Sequence, residues 1–180
     1  DYIFIDRTSE AGELPSPRRL AAAMSPRHFS VGGDGVVIIS KSHGADAAMR
    51  IFNADGSEGR MCGNALRCVG LYLYARGICE NKSMTVDTPA GRRAVRILNF
   101  DGRCGTVRVQ MGKASFDPRD ITPLGCGAPL IDAPVPLFGE NIRMTAVSVG
   151  NQHWVTFVDE PKSLDISAVG GSLEAHPMLK

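Results

Sequence analysis

The stretch from Asn53 to Cys68, NADGSEGRMCGNALRC, sets one thiol, Cys62, between glycine-bearing polar turns and the first turn of an expected helix. Helix starts present unpaired backbone N–H groups and the positive end of the peptide dipole, which favour a thiolate and can also receive a substrate carboxylate. One short segment can therefore supply a base and an anion cradle. Gly63 has no side chain to obstruct a ligand, and Asn64 can donate a hydrogen bond. Against this stands a plainer reading of Cys62 as a packing residue, since free cysteines are commonly buried. Cys68 lies within the helix without such neighbours and is expected in the core.

Three further residues could serve such a thiol. Asn53 and Asn151 each stand where a strand runs into a turn. Their amides either shape that turn or recognise a substrate, donating to a carboxylate or accepting from an ammonium. His153 is either a structural histidine or a proton partner for a thiol. The Gly32–Gly35 turn, GGDG, lacks the Gly-Lys-Ser/Thr ending of a phosphate loop and precedes a strand, so it reads as a tight turn near a site, with Asp34 bracing it. Thr88-Pro89-Ala90-Gly91 reads as a turn between strands.

Composition narrows the class of chemistry. The chain has 180 residues, is 43% hydrophobic and carries a formal net charge of +1, enough apolar material for one large domain or two small ones. Its charges are scattered, with no basic stripe suited to nucleic acid, no apolar run long enough to span a bilayer and no signal-peptide pattern. A small-molecule partner and a cytoplasmic location are expected. The five cysteines form no CxxC pair, which favours reduced thiols over a disulfide framework or a zinc site.

The elements that must position the thiol follow from periodicity. Residues 2–6 read as a strand that starts abruptly, as if clipped. Ser16 and Pro17 read as N-cap and first residue of a helix reaching Met24. Strands are expected over Val36–Ile39 and Ala47–Phe52, the latter entering the cysteine motif. Leu66, Val69 and Leu73 at helical spacing predict a helix ending at Gly77. Met84–Thr88, Arg92–Leu98 and Thr106–Met111 read as strands, with Val107, Val109 and Met111 on one buried face. The Pro- and Gly-rich stretch from Phe116 to Pro136 reads as a crossover between domains. A new strand pair is expected near Met144 and from His153, followed by short helical or loop material. The expected organisation is an α/β (α+β) chain with a first domain over 1–117, a linker over 118–142 and an incomplete second domain over 143–180.

NADGSEGRMCGN before a helix, the upstream GGDG, the downstream Gly150-Asn151-Gln152-His153 and the terminal LEAHP together resemble the diaminopimelate epimerase family. The resemblance spans nearly the whole chain. It implies two similar α/β domains in a pseudo-symmetric fold, each donating one cysteine, working without pyridoxal phosphate or any other cofactor or metal. One thiolate takes the α-proton of an amino acid and a second thiol returns a proton to the opposite face. The reaction implied is conversion of LL-diaminopimelate to the meso form, in lysine and peptidoglycan precursor synthesis, by an enzyme that is often a homodimer. By the resemblance Cys62 is the first-domain thiol, with His153 near the thiols. Asn53 and Asn151 hold the substrate, and Gly63 and Asn64 form the anion-binding turn. The second cysteine motif lies beyond the residues present, so the isolated chain is expected to be inactive. Ala65, Ser30 and Gln152 depart from the glycine, glycine and proline usual in the family, which leaves room for a related racemase, such as one acting on histidine. A non-catalytic carboxylate-binding module is the alternative from a different class.

Overall fold

The computed structural model describes residues 1–9, 14, 16–121 and 128–177. It divides into two compact units, Asp1–Met111 and Gly112–Lys180. The first unit runs β1 (Ile3–Arg7), α1 (Pro17–Met24), β2 (Gly35–Ser40), β3 (Ala47–Asn53), β4 (Glu58–Gly59), α2 (Gly63–Ala75), β5 (Ser83–Asp87), β6 (Arg93–Phe100) and β7 (Gly105–Val109). Its sheet has the order β1-β2-β3-β5-β6-β7, with the short β4 added to β3. The β1–β2 and β3–β5 pairs are parallel and the others antiparallel, a mixed α/β arrangement.

The expected periodicities account for these elements. On α2, Ala65, Leu66, Val69, Gly70 and Leu73 are buried, one stripe at helical spacing. Each fully buried Leu or Val in that stripe contributes roughly 1.5–3 kcal/mol. They pack with Val37, Ile39, Met49, Val86, Val95 and Ile97 from the sheet in one core. At Gly70 an added Cβ would lie 2.5 Å from Val95 Cγ1, so glycine is what lets the helix seat this closely on β6. The helix closes as expected at Gly77, whose φ of 66° lies in the left-handed region. Gly77 N–H donates to Tyr74 and Ile78 N–H to Leu73, the paired bonds of a Schellman ending. A second tie fixes the helix to the first strand, because the Tyr72 hydroxyl donates to Asp6 Oδ2 at 2.8 Å.

The second unit contains α3 (Pro118–Ile121), β8 (Ala133–Leu137), β9 (Glu140–Ser148), β10 (Gln152–Val155), a 3-10 turn at Pro161–Ser163 and α4 (Ile166–Glu174). The three strands form an antiparallel sheet with β9 in the middle. Val135, Leu137, Met144 and Ala146 are its buried apolar residues, with Ile121 beside them in the chain's buried set.

Three expectations need correction. Part of the stretch expected as a crossover is a hairpin, with β8 at residues 133–137 paired to β9. Pro134 and Pro136 are strand breakers by residue type, but β8 pairs only with β9 in this sheet and both prolines are exposed, while Val135 and Leu137 are buried. An edge strand tolerates proline because the missing N–H would face away from the ladder. Ser16 precedes α1 but makes no side-chain cap, since its φ of 48° is left-handed rather than the extended conformation a capping hydroxyl requires. Cys68 is exposed, not core. At 3.6 residues per turn it falls on the far side of α2 from the Leu66–Val69–Leu73 stripe. Pro123, Gly125, Cys126 and Gly127 of the expected crossover lie outside the described residues.

Candidate active site

Cys62 is the N-cap residue of α2, with φ −141° and ψ 114°. Its Sγ accepts from the Ala65 N–H at 3.5 Å, and its carbonyl accepts from the Leu66 N–H at 3.0 Å. The first two helical N–H groups, those of Gly63 and Asn64, have no intrahelical acceptor at such a position and remain available to an anion. The thiol itself is half-buried and packs against the edge of the main core, as do Tyr2 and Met111. This is the arrangement the motif predicted, a sulfur at a helix mouth.

Two neighbours of the thiol were not singled out in the sequence. Tyr2 packs beside Cys62 at the edge of the core. Burial foremost, then the nearby Cys62 and the charge of Asp34, push the Tyr2 phenol above its ordinary value, so it keeps its proton. Met111 borders Gly63. Its Sδ lies 3.1 Å from the point where a side chain at Gly63 would begin, so that glycine keeps the cradle open. Tyr2 reads in sequence only as the start of an alternating strand, and Met111 as the end of another. Their convergence on Cys62 depends on pairings far apart in the chain.

Asn64 is exposed, and its Oδ1 accepts from Arg67 Nη1 at 3.1 Å. The same guanidinium nitrogen lies 3.6 Å from the Cβ position of Gly63, which brings a cation to the mouth of the helix. Asn53 ends β3, its N–H bonded to the Ser57 carbonyl at 2.8 Å and its Nδ2 donating to Ser57 Oγ at 3.0 Å. Of the two readings open for Asn53, this bond favours shaping of the turn, while its Oδ1 stays clear of that bond. The Asx contact in the turn is made by Asp55, whose Oδ1 accepts from the Ser57 N–H at 2.8 Å.

Asn151 and His153 belong to the second unit. Asn151 is exposed in the turn between β9 and β10, where its carbonyl accepts from the Val149 N–H at 3.0 Å. His153 is also exposed and sits on β10 opposite Val147. In the first unit Asp34 braces the glycine loop through Arg27, whose Nη2 donates to Asp34 Oδ1 at 2.7 Å. Thr88 and Gly91 close the expected turn with reciprocal backbone bonds of 3.3 and 2.8 Å. Among the described residues no group of three His, Cys, Asp or Glu side chains could hold a metal ion, and no helix is long and apolar enough to cross a membrane.

Residues 1–117 match the family model described as diaminopimelate epimerase. The chain belongs to the diaminopimelate epimerase family. It is 41% identical over 184 aligned residues to the diaminopimelate epimerase of Desulfovibrio desulfuricans, covering 99% of this chain and 63% of that protein. It is 38% identical over 180 residues to that of Moorella thermoacetica, with the same coverage of 99% and 63%. The chain thus spans a little under two thirds of these family members. Among solved structures, a hydroxyproline epimerase from Agrobacterium vitis with bound trans-4-hydroxy-L-proline aligns with a TM-score of 0.55 at 20% identity. That alignment covers 84% of this chain and 42% of the other and shows a shared fold.

Proposed function

We propose that the protein carrying this chain is a cofactor-independent isomerase that inverts one α-carbon of LL-diaminopimelate, giving the meso form, with Cys62 as one of two thiols. The observation that carries the proposal is the Cys62 sulfur at the mouth of α2, beside two helical N–H groups that can meet a carboxylate. Family membership and relatives about 40% identical that are named diaminopimelate epimerases support the choice of substrate.

The chemistry follows from the weak acidity of an amino-acid α-proton. The Cys62 thiolate takes that proton, and the C–H electron pair moves toward the carboxylate. The N–H groups of Gly63 and Asn64 oppose the charge that develops there. A second thiol then gives its proton to the opposite face, and the electron pair returns to carbon in a new C–H bond. Tyr2 lies beside the sulfur at the edge of the core. In the same proposal Asn151 holds the substrate, Asn53 meets it through the Oδ1 that its turn bond leaves clear, and His153 stands near the thiols. Residues 112–180 form the unit that carries Asn151 and His153. The balanced charge and the free cysteines among the described residues support a cytoplasmic site of action, and the family resemblance supports a homodimer.

The test is exchange in heavy water with LL-diaminopimelate. Deuterium should enter the α-carbon, and Cys62→Ala should abolish its entry. Absence of deuterium, or unchanged exchange in the variant, would refute the proposal.

A further inference from the structure

The outer face of the first unit's sheet carries a second feature unrelated to Cys62. An open groove of about 660 Å³ crosses β5, β6 and β7 there, within the size range of small-molecule sites. Its polar lining consists of Asp46, Ser83, Thr85, Arg96, Arg108 and Gln110. Register places Ser83 opposite Arg96 and Arg96 opposite Arg108, one row across three strands. Thr85 lies opposite Ala94 in the next row, and the small Ala94 deepens the floor between the two rows.

Two arginines directly opposite each other on one sheet face repel, and like charges at such positions ordinarily destabilise the pair. Elsewhere in the described residues Arg50 of β3 pairs with Glu58 at 2.7 Å, and Arg92, just before β6, pairs with Asp87 at 2.8 Å. Arg96 and Arg108 make no ion pair among the described residues. The carboxylate in the groove is already engaged. Asp46 Oδ2 accepts from the Thr85 N–H at 2.6 Å and from Thr85 Oγ1 at 3.0 Å. That leaves two arginines at opposed register positions in the groove without an ion pair, with a serine hydroxyl and a glutamine amide as further donors.

We propose that this groove binds a small molecule with two or more acidic oxygens, held by Arg96 and Arg108 together. A planar guanidinium matches the oxygens of a carboxylate or a phosphate in paired hydrogen bonds, and two of them favour a dianion over a monoanion. The shared chemistry is the oxyanion, which a phosphate ester or a polycarboxylate can supply. The site is independent of the thiol chemistry at α2.

Calorimetric titration of the protein carrying this chain with pyrophosphate and, separately, with citrate tests the proposal. Saturable binding of at least one probe is expected, weakened about tenfold in Arg96→Gln and in Arg108→Gln. Tighter binding of pyrophosphate assigns a phosphate ester, and tighter binding of citrate a polycarboxylate. Without anion, both variants should melt no lower than the parent, since each removes a like-charge contact, and added anion should raise the parent's midpoint more than theirs. No saturable heat with either probe up to about 10 mM would overturn the proposal. So would unchanged affinity in the variants, or variants that melt well below the parent, which would show the arginines to be bound within the protein.

Discussion

Helices α2 and α4 open in the same way and with opposite chemistry. At each mouth a side chain accepts from the N–H three residues on: Cys62 Sγ from Ala65 at 3.5 Å, and Asp165 Oδ1 from Ala168 at 3.0 Å. The carboxylate is a strong cap, charged and complementary to the helix dipole. Sulfur is a weak acceptor and a poor cap. Yet the poor cap sits on the helix with five buried residues, and the good one on a helix with none. A helix held by its packed face does not need its cap for stability, which leaves that position free to carry a reactive group. On α4 the Asp165 cap contributes to holding the first turn together.

The sharpest way to break this comparison is to give α2 the cap of α4. Cys62→Asp should raise stability by up to about 1 kcal/mol in urea unfolding. The same change should reduce α-proton exchange of diaminopimelate by a factor on the order of 10²–10⁴. A variant that loses stability, or keeps its exchange rate, would show that the cysteine is there for packing. Packing itself is tested next. Leu66→Ala should cost about 2–5 kcal/mol, because Leu66 is fully buried. Leu173→Ala on α4, only half-buried, should cost under about 1 kcal/mol. Asp165→Ala should cost about 1 kcal/mol, detected as a loss of helical signal on heating.

Smaller effects sharpen the picture around the thiol. Tyr2→Phe keeps the ring in the core and removes the hydroxyl, so exchange should fall a few-fold while the unfolding midpoint stays within about 0.5 kcal/mol of the parent. Asp6 links β1 to α2 and supplies a pH signature. Burial raises its carboxyl, but hydrogen bonds from the Thr8 hydroxyl and N–H and from Tyr72, with the charge of Arg76, outweigh it and hold the group below its ordinary value. A carboxyl lowered in the folded state contributes stability above its unfolded value, near pH 3.9, and loses it as the pH falls through the folded value. The stability difference between the parent and Asp6→Asn should therefore be present at pH 7 and shrink in acid below about pH 4. A difference that does not change with pH would show that Asp6 is not held ionised by these contacts.

Much of this was legible because local pattern and tertiary outcome agree. The α2 stripe, the Gly77 ending and the entry of Cys62 into the helix mouth are all short-range signals within some fifteen residues. Where reading failed, a local rule met a tertiary exception. Pro134 and Pro136 look like strand breakers until β8 proves to have a partner on one side only. Cys68 looks like a core thiol by residue type, and only its angle around α2 turns it outward. Tyr2 could not be paired with Cys62 from sequence, because sixty residues and the β1–β2–β3 register separate them. The same holds for Arg96 and Arg108, whose opposition depends on the hairpin register of β6 and β7.

The central claim, that the mouth of α2 activates the thiol placed there, has a direct test in the two cysteines of that helix region. Cys62 is half-buried and Cys68 exposed, so accessibility alone favours alkylation of Cys68. Competitive labelling with limiting iodoacetamide at neutral pH, read by peptide mass spectrometry, should nevertheless modify Cys62 first, because its sulfur sits at the helix mouth beside unpaired backbone N–H groups while Cys68 lies on the helix flank. Labelling of Cys68 ahead of Cys62, in a protein that remains folded, would contradict the account.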